Sequence, residues 1–206
     1  MQAITDLIMY FHKGGLVMWP LLACSITVIA IAIERFIYYK SVDSGAVFAF
    51  HYCAAVRSGD FAVATEWARK GSGQCAQMLA DVEAVAGGKA EKSAFLESRA
   101  GIFMATLRDK LDYLGIIVTM SPLLGLLGTI VGMIGAFSIF NVEAGAPMAI
   151  TGGIGEALIA TATGLCVAIL SLCAHSYFAH RMDNMITDME QCFSALLEAE
   201  TRRARS

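Results

Sequence analysis

Ala149–Tyr177 reads AITGGIGEALIATATGLCVAILSLCAHSY, an apolar run that carries one carboxylate, Glu156. A charge in hydrocarbon costs at least ~2.5 kcal/mol on insertion scales, so an acid in such a run faces a bundle interior or a wet cavity and works there. The run exceeds the ~20 residues needed to cross a ~30 Å hydrocarbon core. It therefore reads as a membrane helix built around an acid that can take up and release a proton.

Two further stretches upstream have the same length and character. Leu16–Tyr38 (LVMWPLLACSITVIAIAIERFIY) is apolar until Glu34–Arg35, and residues 113–140 hold LGIIVTMSPLLGLLGTIVGMIGAFSIF with no charge within that stretch. The third span is bounded at 149–178. Of the 206 residues, 57% are hydrophobic and 16% charged, and the mean hydropathy is +0.62. Soluble domains hold about 25% charged residues, so the composition points to a membrane protein. The formal net charge of −3 and the lack of any basic block exclude a nucleic-acid binder. No A-x-A-like cleavage site follows a short apolar core near the N-terminus, so the first span is expected to be retained.

Basic residues set the expected orientation. Lys13 alone precedes the first span, none lies in residues 141–148, and the other fourteen follow from Arg35 onward. Positive charge marks the cytoplasmic side. Residues 1–15 are thus expected in the periplasm, with Asp6–His12 as an amphipathic segment, and residues 39–112 and 179–206 in the cytoplasm. Residues 141–148 are expected to form a short periplasmic loop. In the cytoplasmic loop, Val47–Arg57, Phe61–Lys70 and Ala90–Tyr113 carry apolar residues at helical spacing, punctuated by Gly59, Gly71, Gly73 and Gly87–Gly88. The fold class is an all-α integral membrane protein with three transmembrane helices, the second and third extending into the cytoplasm.

Small residues mark the packing faces. Gly125, Gly128, Gly132 and Gly135 recur at three, four and three residues and share one helical face. Gly153, Ala157, Ala160, Gly164 and Ala168 form a matching stripe. In lipid, small residues allow close backbone approach where the hydrophobic effect does not drive association. Either stripe alone fits an intramolecular hairpin; two together leave surplus interface and point to a homo-oligomer.

Polar groups accompany the acid. Thr129 lies deep in the second span, and Thr161 and Thr163 follow Glu156 in the third. Thr163 falls almost under Glu156 on a helical wheel, whereas Thr161 lies about 140° away. A hydroxyl both donates and accepts, so it can hold a water file, although a bond to its own helix's carbonyl is the commoner use. The six cysteines show no C-x-x-C spacing, so neither metal nor cofactor is expected. No G-x-x-x-x-G-K-[ST], H-E-x-x-H or G-x-S-x-G occurs, so the chain is not read as an enzyme. A proton crossing 100 mV releases about 2.3 kcal/mol, enough to bias one step more than tenfold. A passive scaffold and an autonomous channel remain as alternatives, the latter weakened by the absence of broken or inverted-repeat spans.

Ser121–Phe137 (SPLLGLLGTIVGMIGAF) and Ile150–Ile169 (ITGGIGEALIATATGLCVAI) resemble the second- and third-span signatures of the MotA/TolQ/ExbB proton-channel family. Lys13–Arg35 (KGGLVMWPLLACSITVIAIAIER) is similar to the usual opening of its TolQ/ExbB branch. The resemblance implies a homopentamer with a central pore around two copies of a single-span ExbD/TolR-like partner. It further implies proton-driven work on a TonB- or TolA-like protein in the bacterial inner membrane. It assigns Glu156, Thr129 and Thr161 to the proton pathway; Thr163 joins them from the wheel. ExbB-like transport and TolQ-like envelope maintenance share these motifs. One departure stands out: Leu170 occupies a position where many relatives carry proline.

Overall fold

The structure, a computed structural model, describes residues 14–142 and 147–203; the segment Asp6–His12 and the tail's Arg205 lie outside them. The described elements are helical: α1 Met18–Val42, α2 Ala46–Ser58, α3 Phe61–Lys70, α4 Gln74–Val82, α5 Lys89–Arg108, α6 Leu111–Val142 and α7 Pro147–Arg203. Three apolar stretches, in α1, in α6 and in α7, are long enough to cross a membrane. The chain divides into two compact units. One holds Met1–Ile33 and Asp112–Ser176, the other Glu34–Leu111 and Tyr177–Ser206.

In the first unit, α6 and α7 form an antiparallel hairpin in which the two small-residue stripes meet. A methyl group built on Gly132 would stand 3.0 Å from the Gly153 carbonyl oxygen and 3.3 Å from Ala157 Cβ. One on Gly128 would overlap Ala160 Cβ, and one on Gly164 would lie 2.5 Å from the Ser121 carbonyl oxygen. Backbone thus meets backbone, the contact that small residues permit in lipid. Gly125, Gly128 and Gly132 thus spend their face on α7, whereas added carbons at Gly135, Gly152 and Gly155 would meet nothing within 4 Å and leave small-residue surface unused within the chain. The head of α1 closes the unit through buried Val17, Met18 and Leu21, packed with Leu124 and Ile159.

Large apolar side chains remain uncovered around this unit. Ile26, Ile29 and Ile33 on α1, Leu123, Leu126 and Ile134 on α6, and Leu158 and Ile169 on α7 are all more than half exposed. Water does not tolerate such wide apolar faces on a soluble protein; a bilayer or other membrane helices do.

Two hydroxyls lie fully buried in the hairpin. Ser171 Oγ donates to the Leu114 carbonyl at 2.9 Å, whereas Ser121 Oγ has no partner among the described residues. An unmade bond already carries its desolvation cost. Ser121→Ala is accordingly expected to leave stability unchanged or raise it by about 1 kcal/mol, read as the thermal unfolding midpoint of the reconstituted protein. A fall of several degrees would mean that the hydroxyl is satisfied after all.

In the second unit, α7 supplies the core through Phe178, Met182, Met185, Met189, Cys192, Leu196 and Ala199, all buried. These alternate four and three residues apart, the seam of a helix that packs along its length. Against it lie Phe48, Tyr52 and Val56 of α2, Leu79 and Val82 of α4, and Leu96, Phe103 and Leu107 of α5. The short helices end on local chemistry. Gly59 closes α2 in the left-handed region at φ 82°, where glycine avoids a Cβ penalty. Asp60 caps α3 by accepting from the Val63 N–H at 3.2 Å. The Glu91 carboxylate accepts from the Gly88 N–H at 2.9 Å to start α5. The sequence missed α4 altogether. It also expected Ala90–Tyr113 to be continuous, but turn residues at 109–110 separate α5 from α6.

The C-terminal carbonyls of α5 are satisfied by α1. Arg35, 3% exposed, donates to the Thr106 carbonyl at 2.9 Å and the Leu107 carbonyl at 3.5 Å. Tyr39 Oη donates to the same Leu107 oxygen at 3.0 Å, and burial pushes its phenol up to about 12. Glu34 balances Arg35 at 3.0 Å and also reaches Lys110 at 3.1 Å. Bonds from a charged donor contribute about 1.5–3 kcal/mol each. Arg35→Ala is therefore expected to destabilise this unit by about 3 kcal/mol, visible as early proteolysis of the 39–112 segment. Unchanged protease resistance would refute it.

Cys53 and Cys192 lie with sulfurs 3.8 Å apart. Burial is the first cause that pushes the Cys53 thiol up to about 12. Both are free thiols, and such buried, protonated cysteines are inert packing groups.

Candidate functional site

Glu156 sits on α7 at the head of α1. Its carboxyl lies against Gly15: a methyl group on Gly15 would overlap Oε1 and stand 2.8 Å from Cδ. Gly15 has φ +71° and closes the first turn of the α1 region by accepting from the Met18 N–H at 3.2 Å. Gly14 adjoins Ile159, one turn along α7 from the acid. The carboxylate is partly exposed rather than sealed, and no hydrogen bond to it occurs among the described residues.

Helix geometry sorts the threonines onto two faces of α7. Val167, Leu170 and Ala174 line a recess of about 230 Å³ together with Ser25, Val28 and Ile33 of α1. Glu156 and Thr163 lie within about 40° of that line on a 100° wheel, so they belong to the side turned toward α1. Thr163 Oγ1 donates to the Ile159 carbonyl at 2.8 Å. Thr161 belongs to the α6 side: its hydroxyl lies 3.2 Å from both the Ala157 and the Gly125 carbonyls. Thr129 Oγ1 donates to the Leu126 carbonyl at 2.6 Å.

Within one chain, then, the structure does not bring the four residues together. Glu156 and Thr163 share a face about 10 Å apart along the axis; Thr161 seals the hairpin seam; Thr129 follows Gly128 on α6. Each threonine proton is engaged by a backbone carbonyl, which leaves the hydroxyl oxygen free to accept. Gly125, Gly128, Gly132, Gly153 and Gly164 line the seam, and Gly135 does not. Reasoning from sequence overlooked Gly15. Its only signal was the Gly14–Gly15 pair before the span, which reads as helix punctuation and says nothing about a carboxylate 141 positions away.

No group of three or more histidine, cysteine or acidic side chains that could hold a metal occurs among the described residues. A helical hairpin with backbone-level packing and a third apolar helix across it define the architecture of a polytopic membrane protein. The chain belongs to the MotA/TolQ/ExbB proton channel family, whose model matches residues 74–191. Members of that family are channel and transport proteins rather than enzymes.

Its relatives agree on the branch. An ExbB-like biopolymer transport protein of Synechocystis is 34% identical over 170 residues, covering 79% of this chain and 66% of that protein. The Tol-Pal system protein TolQ of Pseudomonas aeruginosa is 36% identical over 81 residues, 39% of this chain and 35% of TolQ. The biopolymer transport protein exbB1 of Vibrio cholerae is 27% identical over 183 residues, 85% of this chain and 80% of that protein. The chain thus spans less than two thirds of the length of the Synechocystis protein and about a third of TolQ.

Proposed function

We propose that this chain is an ExbB-like subunit of a proton-driven motor in the bacterial inner membrane. Five copies surround two copies of a single-span ExbD/TolR-like partner, and proton passage drives work on a TonB- or TolA-like protein. Residues 1–15 and 141–148 face the periplasm; residues 39–112 and 179–206 form a helical cytoplasmic domain. Glu156 is the proton-carrying group, with Thr129, Thr161 and Thr163 supplying oxygens along the path.

The observation that carries this reading is the single carboxylate held at the junction of α1 and α7, within helices otherwise suited to hydrocarbon. An acid there is retained for work rather than for packing, and it makes no structural hydrogen bond among the described residues. The bare Leu and Ile faces of α6, together with the unpacked Gly135, supply contact area for neighbouring subunits. Two relatives that cover most of this chain carry ExbB-type names, which favours transport over a TolQ-like role in envelope maintenance.

Native mass measurement on the complex purified with its genomic neighbours tests the architecture. A mass equal to five copies of this chain plus two of a single-span protein is expected. A lone subunit, or a stable oligomer that conducts protons with no second protein, would overturn it.

A further inference from the structure

We propose that Gly15 is a positioning residue for Glu156, so that the head of the first membrane helix forms part of the proton site. The inference rests on the reading of Glu156 as the proton carrier and extends it to a helix that the spacing of the polar residues had left out. Three observations converge. The space where a Gly15 side chain would stand is occupied by the Glu156 carboxyl oxygen. The φ of +71° at Gly15 is one that side-chain-bearing residues rarely adopt, so the turn and the vacancy come from the same residue. The turn leads directly into α1, whose Met18 and Trp19 N–H groups bond back to Gly15 and Leu16 carbonyls at 3.2 and 3.3 Å.

Among the described residues, no competing charge explains the placement. Besides Glu156, the ionisable side chains of the described part of this unit are Cys24, Asp112, Tyr113, Cys166, Cys173 and His175. Cys24 lies nine residues along α1 from Gly15 and Cys166 ten along α7 from Glu156, about 13 and 15 Å away at 1.5 Å per residue. Among the described residues, the elements that meet Glu156 are therefore uncharged. Its carboxyl is placed by shape against Gly15, and moving or neutralising it changes what the head of α1 packs against.

Proton flux through the whole complex in liposomes, compared across a pair of backgrounds, tests this. Gly15→Ala is expected to lower flux at least tenfold. In an Glu156→Asp background, where the carboxyl is withdrawn by one methylene and the added methyl has room, the same change is expected to cost less than threefold. Gly59→Ala, at φ +82° with nothing within 4 Å of the added carbon, isolates backbone strain and is expected to leave flux within twofold. An equal penalty for Gly15→Ala in both backgrounds would show a merely strained turn and overturn the proposal. Should Gly15→Ala fail to assemble, solid-state NMR of otherwise unaltered protein decides. Glu156→Gln is expected to shift the amide resonances of Gly15 to Met18 and leave Gly59 unmoved, and unmoved Gly15 signals would overturn the proposal. That measurement reads the contact itself, so it stands apart from the motor reading. If Glu156→Gln leaves flux intact, the motor reading fails whatever the NMR shows.

Discussion

Replacing Glu156 with glutamine is expected to lower the proposed partner-dependent transport by roughly a hundredfold or more, while the helices remain folded. A positioned acid or base contributes about 10²–10⁴-fold to proton transfer, and the described membrane unit has no second carboxylate on α1 or α7 to take over. Glutamine keeps the size and hydrogen-bonding capacity of the side chain and removes only its ability to ionise. The structure shows why folding survives: the carboxyl abuts Gly15 without a hydrogen bond to any described residue, so no buried partner is orphaned. Uptake of a transported substrate by cells, alongside proton flux in liposomes, provides the measurement. Retention of more than a tenth of either activity in Glu156→Gln would sink the motor reading. Loss of the assembled complex would instead favour a packing role for the acid.

The second large effect concerns the hairpin. Gly164→Leu is expected to destabilise the α6–α7 pair by about 3 kcal/mol or more, at the upper end of overpacking costs. Even a single carbon there would stand 2.5 Å from the Ser121 carbonyl oxygen and 3.1 Å from Gly125 Cα. Those neighbours are backbone atoms, which cannot swing aside as a side chain would. The clash would also reach Thr161, whose hydroxyl bridges to the Gly125 carbonyl. The control is Gly101→Ala in α5, where an added carbon meets nothing within 4 Å. That change is expected to be neutral or to stabilise by about 0.5–1 kcal/mol through helix propensity. Thermal unfolding of the two variants in nanodiscs checks the contrast, and a Gly164→Leu protein as stable as the parent would refute the close seam.

These two expectations differ in how far the sequence revealed them. The three spans, their order and the acid in the third were legible because hydropathy over 20 residues and a charge within it are local signals. The glycine stripes were legible as faces, yet their partner was not. Spacing tells which residues share a side, and only the fold decides whether that side meets its own chain or another. The same limit explains Thr161. The wheel separated it from Glu156, and the structure shows the reason: Thr161 belongs to the α6 seam and Glu156 to the α1 side. Arg35 read as a topology marker because it ends a span, whereas its clamp on the α5 carbonyls joins segments 71 residues apart. The seam from Phe178 to Ala199 was present as a four-three alternation but lay beyond the apolar run that drew attention.

A last consequence follows from the interlocked backbones of α6 and α7. Helices so closely seated cannot slip past each other without losing every contact along their length, so each hairpin must travel as a rigid stave. The smooth rind of leucine and isoleucine outside it has no such teeth, and greasy surfaces shear cheaply. In the proposed assembly, displacement triggered by a proton falls to the joints between molecules, like play in a barrel whose planks never bend.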